Sequence, residues 1–232
     1  MKNYKPIPLE SNFDWWWYRA KSNLLKNLIK GQKLNKSLKI LEIGPGLGNN
    51  LKVLNNFGQV DLLEIDETFI NYLIKNNNNL FKNFYRDISE LQTEYDLVVM
   101  LDVLEHIENS KKFMQDIYNY IKPSGVIIIG VPAYKFLWSK HDENLKHYRR
   151  YNWKTLVSDL ENYRIIERTG FNYLLLPLRY LQIKIQKNTS TLKSENFILN
   201  EIFYLISKVE NFLRSFGLKP TFGISLYAVA KK

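Results

Sequence analysis

The chain carries three histidines, and two of them, His141 and His147, stand six residues apart in the polar block WSKHDENLKHYRRYN, residues 138–152. The third, His106, lies in LDVLEHIEN, residues 101–109. A neutral imidazole accepts a proton near pH 7, so His141, His147 and His106 are the candidate bases for chemistry at a hydroxyl. Arg149 and Arg150 can hold a phosphate or carboxylate, and Trp138, Tyr148 and Tyr151 can stack on a sugar or another ring. The same block also reads as a folded lid stapled by pairs of the Asp142–Arg149 kind. Asp102, Glu105 and His106 offer metal-type donors. Three polar neighbours on one turn seldom face one ion, however, so no metal is expected.

A second constellation precedes these. LEIGPGLGNN places Gly44, Gly46 and Gly48 directly after an apolar run, where glycine lets the backbone turn sharply and approach a ligand without a Cβ collision. Loop amides and a following helix N-terminus could then serve a nucleotide or another polar ligand. The spacing is E-x-G-x-G-x-G from Glu42. It lacks the third glycine of a dinucleotide fingerprint and the Gly-Lys-Ser/Thr of a P-loop. Glu64, 16 residues after Gly48, ends the next apolar run and can accept from both hydroxyls of a ribose. Asp87 follows a third, weaker run and can accept from an adenine amino group or cap a helix.

The elements that must position these groups alternate. Strands are expected at Leu38–Ile43, Val60–Ile65, Asn83–Arg86, Tyr95–Leu101 and Gly125–Val131. Helices are expected at Leu47–Phe57, Glu67–Lys75 with Asp66 as N-cap, and Ser110–Ile121, the last with Phe113, Ile117, Tyr120 and Ile121 on one face and KPSG ending it. Such alternation predicts a doubly wound α/β sheet with right-handed crossovers. Beyond Asn152 come a helix over Trp153–Glu161, the run YRIIERTGF, and a final strand in ISLYAVAKK. Between these last two, Phe197–Phe216 repeats apolar residues at Ile198, Ile202, Leu205, Val209, Phe212 and Phe216, the spacing of an amphipathic helix. That helix packs on its own domain, or else forms a lid or a membrane-facing surface. Near the N-terminus, WWWYRAK sets three tryptophans in a row. Successive helical residues point about 100° apart, so at least one, with Trp16 the candidate, should cover a cleft with Arg19 nearby, or the segment caps the sheet.

Composition narrows the classes. With 232 residues and 45% hydrophobic content the chain can bury a substantial core. It has no cysteine, which excludes disulfides and thiolate-ligated metals. Its net charge of +10 suits anionic partners or reflects a Lys/Asn bias. No signal-peptide core is evident in the N-terminal segment, and no apolar run reaches the roughly 20 residues of a membrane span. The expected location is cytoplasmic, with peripheral association at the inner membrane face as an extension.

These motifs together resemble those of the class I S-adenosylmethionine-dependent methyltransferases. LEIGPGLG is similar to their first motif, LLEID to the second-strand acid, RDI to the adenine-side segment, YDLVVMLDVLEHIEN to the fourth-strand motif, and IKPSGVIIIGVPA to the fifth-strand segment. The resemblance implies a seven-stranded Rossmann-like sheet whose last strand runs antiparallel, with S-adenosyl-L-methionine as cofactor and S-adenosyl-L-homocysteine as product. It further implies Glu42, Gly44, Gly46 and Gly48 around the methionine end, Glu64 at the ribose, Asp87 and Ile88 at the adenine, and Leu101 and Asp102 beneath the sulfonium. One methyltransferase domain results: a helical cap over 1–37, a cofactor-binding core over 38–170, a helical insertion over 171–222 and the last strand over 223–232.

WWWYRAK, VPAYKFLWSKHDENLKHYRRYN and FGISLYAVAKK also resemble bacterial methyltransferases associated with glycan and surface-polysaccharide assembly. Ser22 departs from the basic residue expected there. This likeness implies O-methylation of a sugar, nucleotide-sugar or lipid-linked glycan. VLEHI is shared with ubiquinone-pathway enzymes, which implies instead a small hydroxylated ring. An RNA-binding protein or RNA methyltransferase would suit the charge, yet no RRM or KH signature is present, so a nucleic-acid partner is not expected.

Overall fold

The computed structural model describes residues 15–34, 37–185 and 197–232. The apolar runs become seven strands: β1 (Leu38–Ile43), β2 (Gly58–Leu63), β3 (Phe84–Tyr85), β4 (Tyr95–Leu101), β5 (Ile121–Pro132), β6 (Arg164–Phe171) and β7 (Ser225–Lys231). The helices are α1 (Trp16–Gly31), α2 (Leu51–Leu54), α3 (Glu67–Asn77), α4 (Ser110–Tyr118), α5 (Lys140–Asn144), α6 (Trp153–Asp159), α7 (Leu176–Ile185) and α8 (Phe197–Ser215). All strands join one sheet of order β3-β2-β1-β4-β5-β7-β6. The strands from β3 to β5 run parallel, and β7 lies antiparallel between β5 and β6. This is the Rossmann-like methyltransferase fold, with an N-terminal helix and a helical insertion before the last strand.

Side chains alternate across each strand, so the sheet builds two cores. Leu97, Val99 and Leu101 of β4 face α1 through Leu24, Leu25 and Leu28, while Val98 and Met100 face Met114 and Ile117 of α4 and Leu156 of α6. Chain order reverses between β1 and β4. The crevice beyond the carboxyl ends of these two strands is where an open α/β sheet receives its ligand.

Two local expectations are corrected. The helix expected over 47–57 shrinks to Leu51–Leu54, because Gly48, Asn49 and Asn50 form turns and Gly48 N–H donates to Pro45 O at 2.9 Å. The helix expected over 110–121 stops at Tyr118, and Ile121 already pairs with Tyr95 in the sheet. KPSG therefore interrupts a strand instead of ending a helix: the next pair in register is Leu97 with Val126. α8 packs on its own domain, one of the alternatives its periodicity offers, with one side left open. Its residues Ile198, Ile202, Leu205, Val209 and Phe212, with Phe216 just beyond its end, face solvent, each 44% to 75% exposed.

The opposite face of α8 makes the attachment. Asn200 Oδ1 accepts from Trp16 N–H at 2.8 Å, and Glu201 pairs with Arg19. Further along, Ser207 donates to Asn172 Oδ1 at 2.8 Å, and Glu210 accepts from Leu174 N–H at 2.8 Å. Arg214, also buried, donates to Gly170 O at 3.0 Å and to Thr169 Oγ1. The amphipathic helix is present where the periodicity puts it, and it is fastened by these polar residues together with Phe203, Tyr204 and Ile206, which pack on the core. Among the described residues no helix is long and apolar enough to cross a membrane.

Candidate active site

The glycine loop leaves β1 with Gly44, Gly46 and Gly48 all at positive φ (64°, 55° and 77°), the left-handed region that only glycine enters cheaply. A Cβ on Gly44 would approach Val103 Cγ2 to 2.6 Å, which locks the loop against the turn after β4. A Cβ on Gly46 would meet nothing within 4 Å, so this glycine answers to backbone conformation and to an open cradle. Beneath the loop Glu42 is buried. One of its oxygens accepts from Asn50 Nδ2 at 2.9 Å, while the other, Oε2, has no partner. Burial pushes its carboxyl up to about 7, against the opposing pull of Asn50 and Lys21.

Glu64, also buried, takes its donors from the backbone. Oε1 accepts from Ile65 N–H at 2.9 Å and Asp66 N–H at 3.1 Å, and Oε2 from Gly46 N–H at 3.2 Å. Burial raises its pKa despite those amides. Ile65 beside it is 66% exposed. Asp87 is exposed and caps the short turn Ile88–Glu90, accepting from Ser89 N–H at 2.9 Å and Ser89 Oγ at 2.6 Å, bonds that lower its pKa. Ile88 is half-buried after β3.

At the end of β4 Leu101 is buried and Asp102 turns out with φ 58°, a left-handed conformation that costs a non-glycine residue on the order of 1–3 kcal/mol. Its N–H donates to Gly130 O at 2.8 Å, and its carboxylate pairs with Lys21 of α1. Burial alone would lower the Lys21 ammonium, but Asp102 and Tyr227 outweigh it and hold the lysine charged. Tyr18, one helical turn earlier, lies in the same field. Lys21 and Tyr18 were not singled out in the sequence. Their i, i+3 spacing within WWWYRAK was the available signal, masked by the tryptophans.

Those tryptophans do other work. Trp16 is fully buried against Phe203, and Trp17 packs on Phe171. Arg19 is spent on Glu201 and stacks on the Tyr204 ring at 3.6 Å. The expectation that Trp16 and Arg19 line a cleft is therefore corrected: both weld α1 to α8.

The polar block after β5 folds back over the turn after β4. Tyr148 N–H donates to Glu105 O at 2.8 Å, and Tyr151 N–H to Pro132 O at 2.9 Å. The hub is Asp142, which is buried at the start of α5. It accepts from Arg150 Nε at 2.7 Å and Nη2 at 3.0 Å, from Ser139 N–H at 2.9 Å, and from His147 Nδ1 at 2.9 Å. The stapling pair is thus Asp142 with Arg150, not Arg149. Arg150 and Tyr151 are structural; the Tyr151 hydroxyl is buried and donates to Asp159 at 3.1 Å. Arg149 reaches Ser110 Oγ at 2.9 Å and Glu108 O, at a shallow polar hollow away from the glycine loop. Trp138 is half-buried and Tyr148 exposed on the outer rim.

All three histidines are brought together. The rings of His106 and His147 lie 4.6 Å apart edge to face, and His141 lies 6.3 Å from His147. Burial pushes His106 and His141 down to about 4, so both are neutral at pH 7. Arg179 of α7, overlooked in the sequence, is buried beside them and donates to Ser139 Oγ at 3.2 Å; burial and Arg150 lower its pKa to about 10.

A methyltransferase-domain family model matches residues 10–176. The chain belongs to the methyltransferase-domain family. This methyltransferase is 27% identical over 192 residues to a ubiquinone biosynthesis O-methyltransferase of Rickettsia bellii (strain OSU 85-389), covering 74% of this chain and 76% of that one. It is 25% identical over 157 residues to a phosphoethanolamine N-methyltransferase of Plasmodium falciparum, covering 63% and 58%. Among solved structures it matches a SAM-dependent methyltransferase from Archaeoglobus fulgidus with TM-score 0.58 at 20% identity, over 93% of this chain and 94% of that one. It also matches an N-methyltransferase from Bradyrhizobium japonicum WM9 solved with S-adenosyl-L-homocysteine, with TM-score 0.57 at 14% identity, over 100% and 93%.

The enzyme is an S-adenosyl-L-methionine-dependent methyltransferase, and its glycine-loop residues fit that cofactor. The buried Glu42 Oε2 has no hydrogen-bond partner and suits a cationic donor, and the Gly46 backbone, which donates to Glu64, leaves room for a ligand.

Proposed function

We propose that this methyltransferase methylates a hydroxyl of a small ring that carries an apolar tail, and that it works at a membrane surface. The observation that carries the reading is continuity. The histidine block joins α7 through Ser139–Arg179 and through the Phe136 and Tyr180 rings 5.8 Å apart, and α7 and α8 leave Leu178, Leu181, Ile185, Ile202, Leu205 and Phe212 exposed. An acceptor ring at the histidines could thus extend its tail along that face. Lys184 and Lys208 are exposed on the same two helices, Glu201 there is paired with Arg19, and the whole chain carries +10, which favours an anionic bilayer. The relative named for ubiquinone biosynthesis supports the ring over the sugar. A lipid-linked glycan is the second reading, favoured by exposed Tyr148 with Arg149 at the outer rim.

Glu42, the glycine loop and Glu64 hold the cofactor, with Asp87 and Ile88 at its adenine. When bound, that cofactor supplies an electrophilic methyl carbon and a neutral leaving group. The chain has to orient the acceptor, an effect worth roughly 7–11 kcal/mol in model reactions. It must also take the hydroxyl proton, which falls to the neutral imidazole of His141 or His106 and is worth on the order of 10²–10⁴ in rate. The Lys21–Asp102 pair fixes the strand end beneath the reacting atoms.

The test supplies methyl-labelled S-adenosyl-L-methionine with catechol acceptors of increasing prenyl tail length, with sugars, and with total RNA. Label in the catechols, with kcat/KM rising with tail length in anionic vesicles, is the expected result. Label confined to sugars or to RNA would overturn it.

A further inference from the structure

Glu105 is fully buried, and neither of its carboxylate oxygens has a hydrogen-bond partner. The two cations that reach it electrostatically are committed elsewhere, Lys21 to Asp102 and Arg150 to Asp142. A carboxylate in that position is sustained only by a proton or by a cation supplied from outside. What surrounds it is ligand chemistry. One donor atom each from Glu105, His106 and His147 lies within 4.8 Å of the others.

Both imidazoles are already oriented. His147 is held through Nδ1 by Asp142, and the His106 ring bonds the Leu145 carbonyl. Each ring has a second nitrogen, which can serve as a donor to a metal. A histidine steadied by a carboxylate or carbonyl through one nitrogen is the usual arrangement around a metal, since it fixes the tautomer and raises ligand basicity. The sequence expectation of no metal rested on Asp102, Glu105 and His106 being unable to converge. Asp102 does turn away, to Lys21, but His147 arrives from the block after β5 to take its place.

We propose that Glu105, His106 and His147 bind one divalent transition-metal ion, with zinc the best match and a fourth position left open. Two imidazoles and one carboxylate form a catalytic zinc donor set, whereas magnesium prefers oxygen alone. Zinc bonds of about 2.0–2.2 Å put tetrahedral ligand atoms about 3.4 Å apart. Closing a cluster already within 4.8 Å therefore takes side-chain movement of at most about 1.4 Å. The ion would tie the turn after β4 to the polar block. Under the hydroxyl-methylation reading, on which this role alone rests, the open position takes the acceptor oxygen and lowers its pKa. His141 then remains to receive the proton.

The test uses the full-length protein, stripped with chelator and titrated separately with zinc and magnesium by calorimetry, with cobalt as a spectroscopic stand-in. The expected result is one zinc per chain, magnesium weaker by at least about 100-fold, and visible absorption bands of low-coordinate cobalt. Glu105→Gln and His106→Gln should each weaken zinc by at least about 100-fold, while His141→Gln leaves it unchanged. Circular dichroism of the stripped Glu105→Gln variant checks that it folds, and the rise in melting temperature that zinc gives the wild type should be absent from it. No stoichiometric zinc site in the wild type, or undiminished binding in Glu105→Gln, would overturn the proposal. None of these readouts involves methyl transfer, so failure of the metal site and failure of the acceptor reading are told apart.

Discussion

Asp142→Asn should be the most damaging isosteric change in the block after β5, through charge and not shape. The Asp142 carboxylate is 0% exposed and neutralises Arg150, whose side chain is 5% exposed and whose other bond is to Ala133 O at 3.1 Å. Removing one partner of such a pair strands the other charge, at a cost of about 3–5 kcal/mol. For a chain of this size each kcal/mol moves the melting temperature by about 2–4 °C, so the variant should melt about 6–20 °C lower at pH 7. Differential scanning calorimetry with a urea titration gives both numbers. The sign against pH follows from the depressed Asp142 pKa, which burial opposes and His147 and Arg150 enforce. Stabilisation from a depressed carboxyl is complete above the ordinary carboxylate range and is lost as pH falls through the folded value, so the gap between variant and wild type should narrow in acid. Asp142→Asn with Arg150→Met should recover most of the loss, because no unpaired charge remains. A gap below about 1 kcal/mol at pH 7, or a double variant no better than the single, would refute the hub.

Other variants probe the remaining parts. Glu42 carries a carboxyl raised from 4.5 to about 7 by burial, which costs nothing below pH 4.5 and costs most once pH passes 7. Glu42→Gln should therefore stabilise the cofactor-free protein at pH 8 by up to about 3 kcal/mol, leave it unchanged at pH 4, and weaken S-adenosyl-L-methionine by about 10- to 100-fold in calorimetry. Glu64→Gln should weaken the cofactor by a similar factor of about 10–100 with little change in kcat at saturation, as steady-state kinetics would show. Leu205→Ser with Phe212→Ser should leave the melting temperature within about 1 °C, since both side chains are exposed, yet abolish sedimentation with anionic vesicles.

The sheet was legible because its strands are continuous apolar runs, and Leu38–Ile43 and Tyr95–Leu101 are the strands the sequence predicts. The three glycines and Glu64 stand out by their spacing at strand ends, whereas the place given to Glu42 comes only with the family resemblance. The orientation of α8 was not legible. Periodicity locates an apolar face but does not say which way it points, and the polar residues Ser207, Glu210 and Arg214 gave no local sign that their partners wait on β6 and the loop after it. Lys21, Arg179 and the nearness of Glu105 to His147 escaped for a related reason. Each matters through residues distant in the chain, Asp102, Ser139 and His147, and no window of sequence holds both partners.

The place of β7 bears on how the protein is made. It enters between β5 and β6, two strands that a ribosome working at about 5–20 residues per second finishes well before it passes residue 231. During that interval the Val126–Pro132 edge of β5 has no neighbour, and β6 has nothing to pair with. The nascent chain thus exposes an aliphatic ribbon, VIIIGVP, of the kind that recruits other chains. Yield in the cell should accordingly depend on chaperone supply during this window, and a stop codon before Ser225 should give insoluble product even though the glycine loop and the histidine block are already complete.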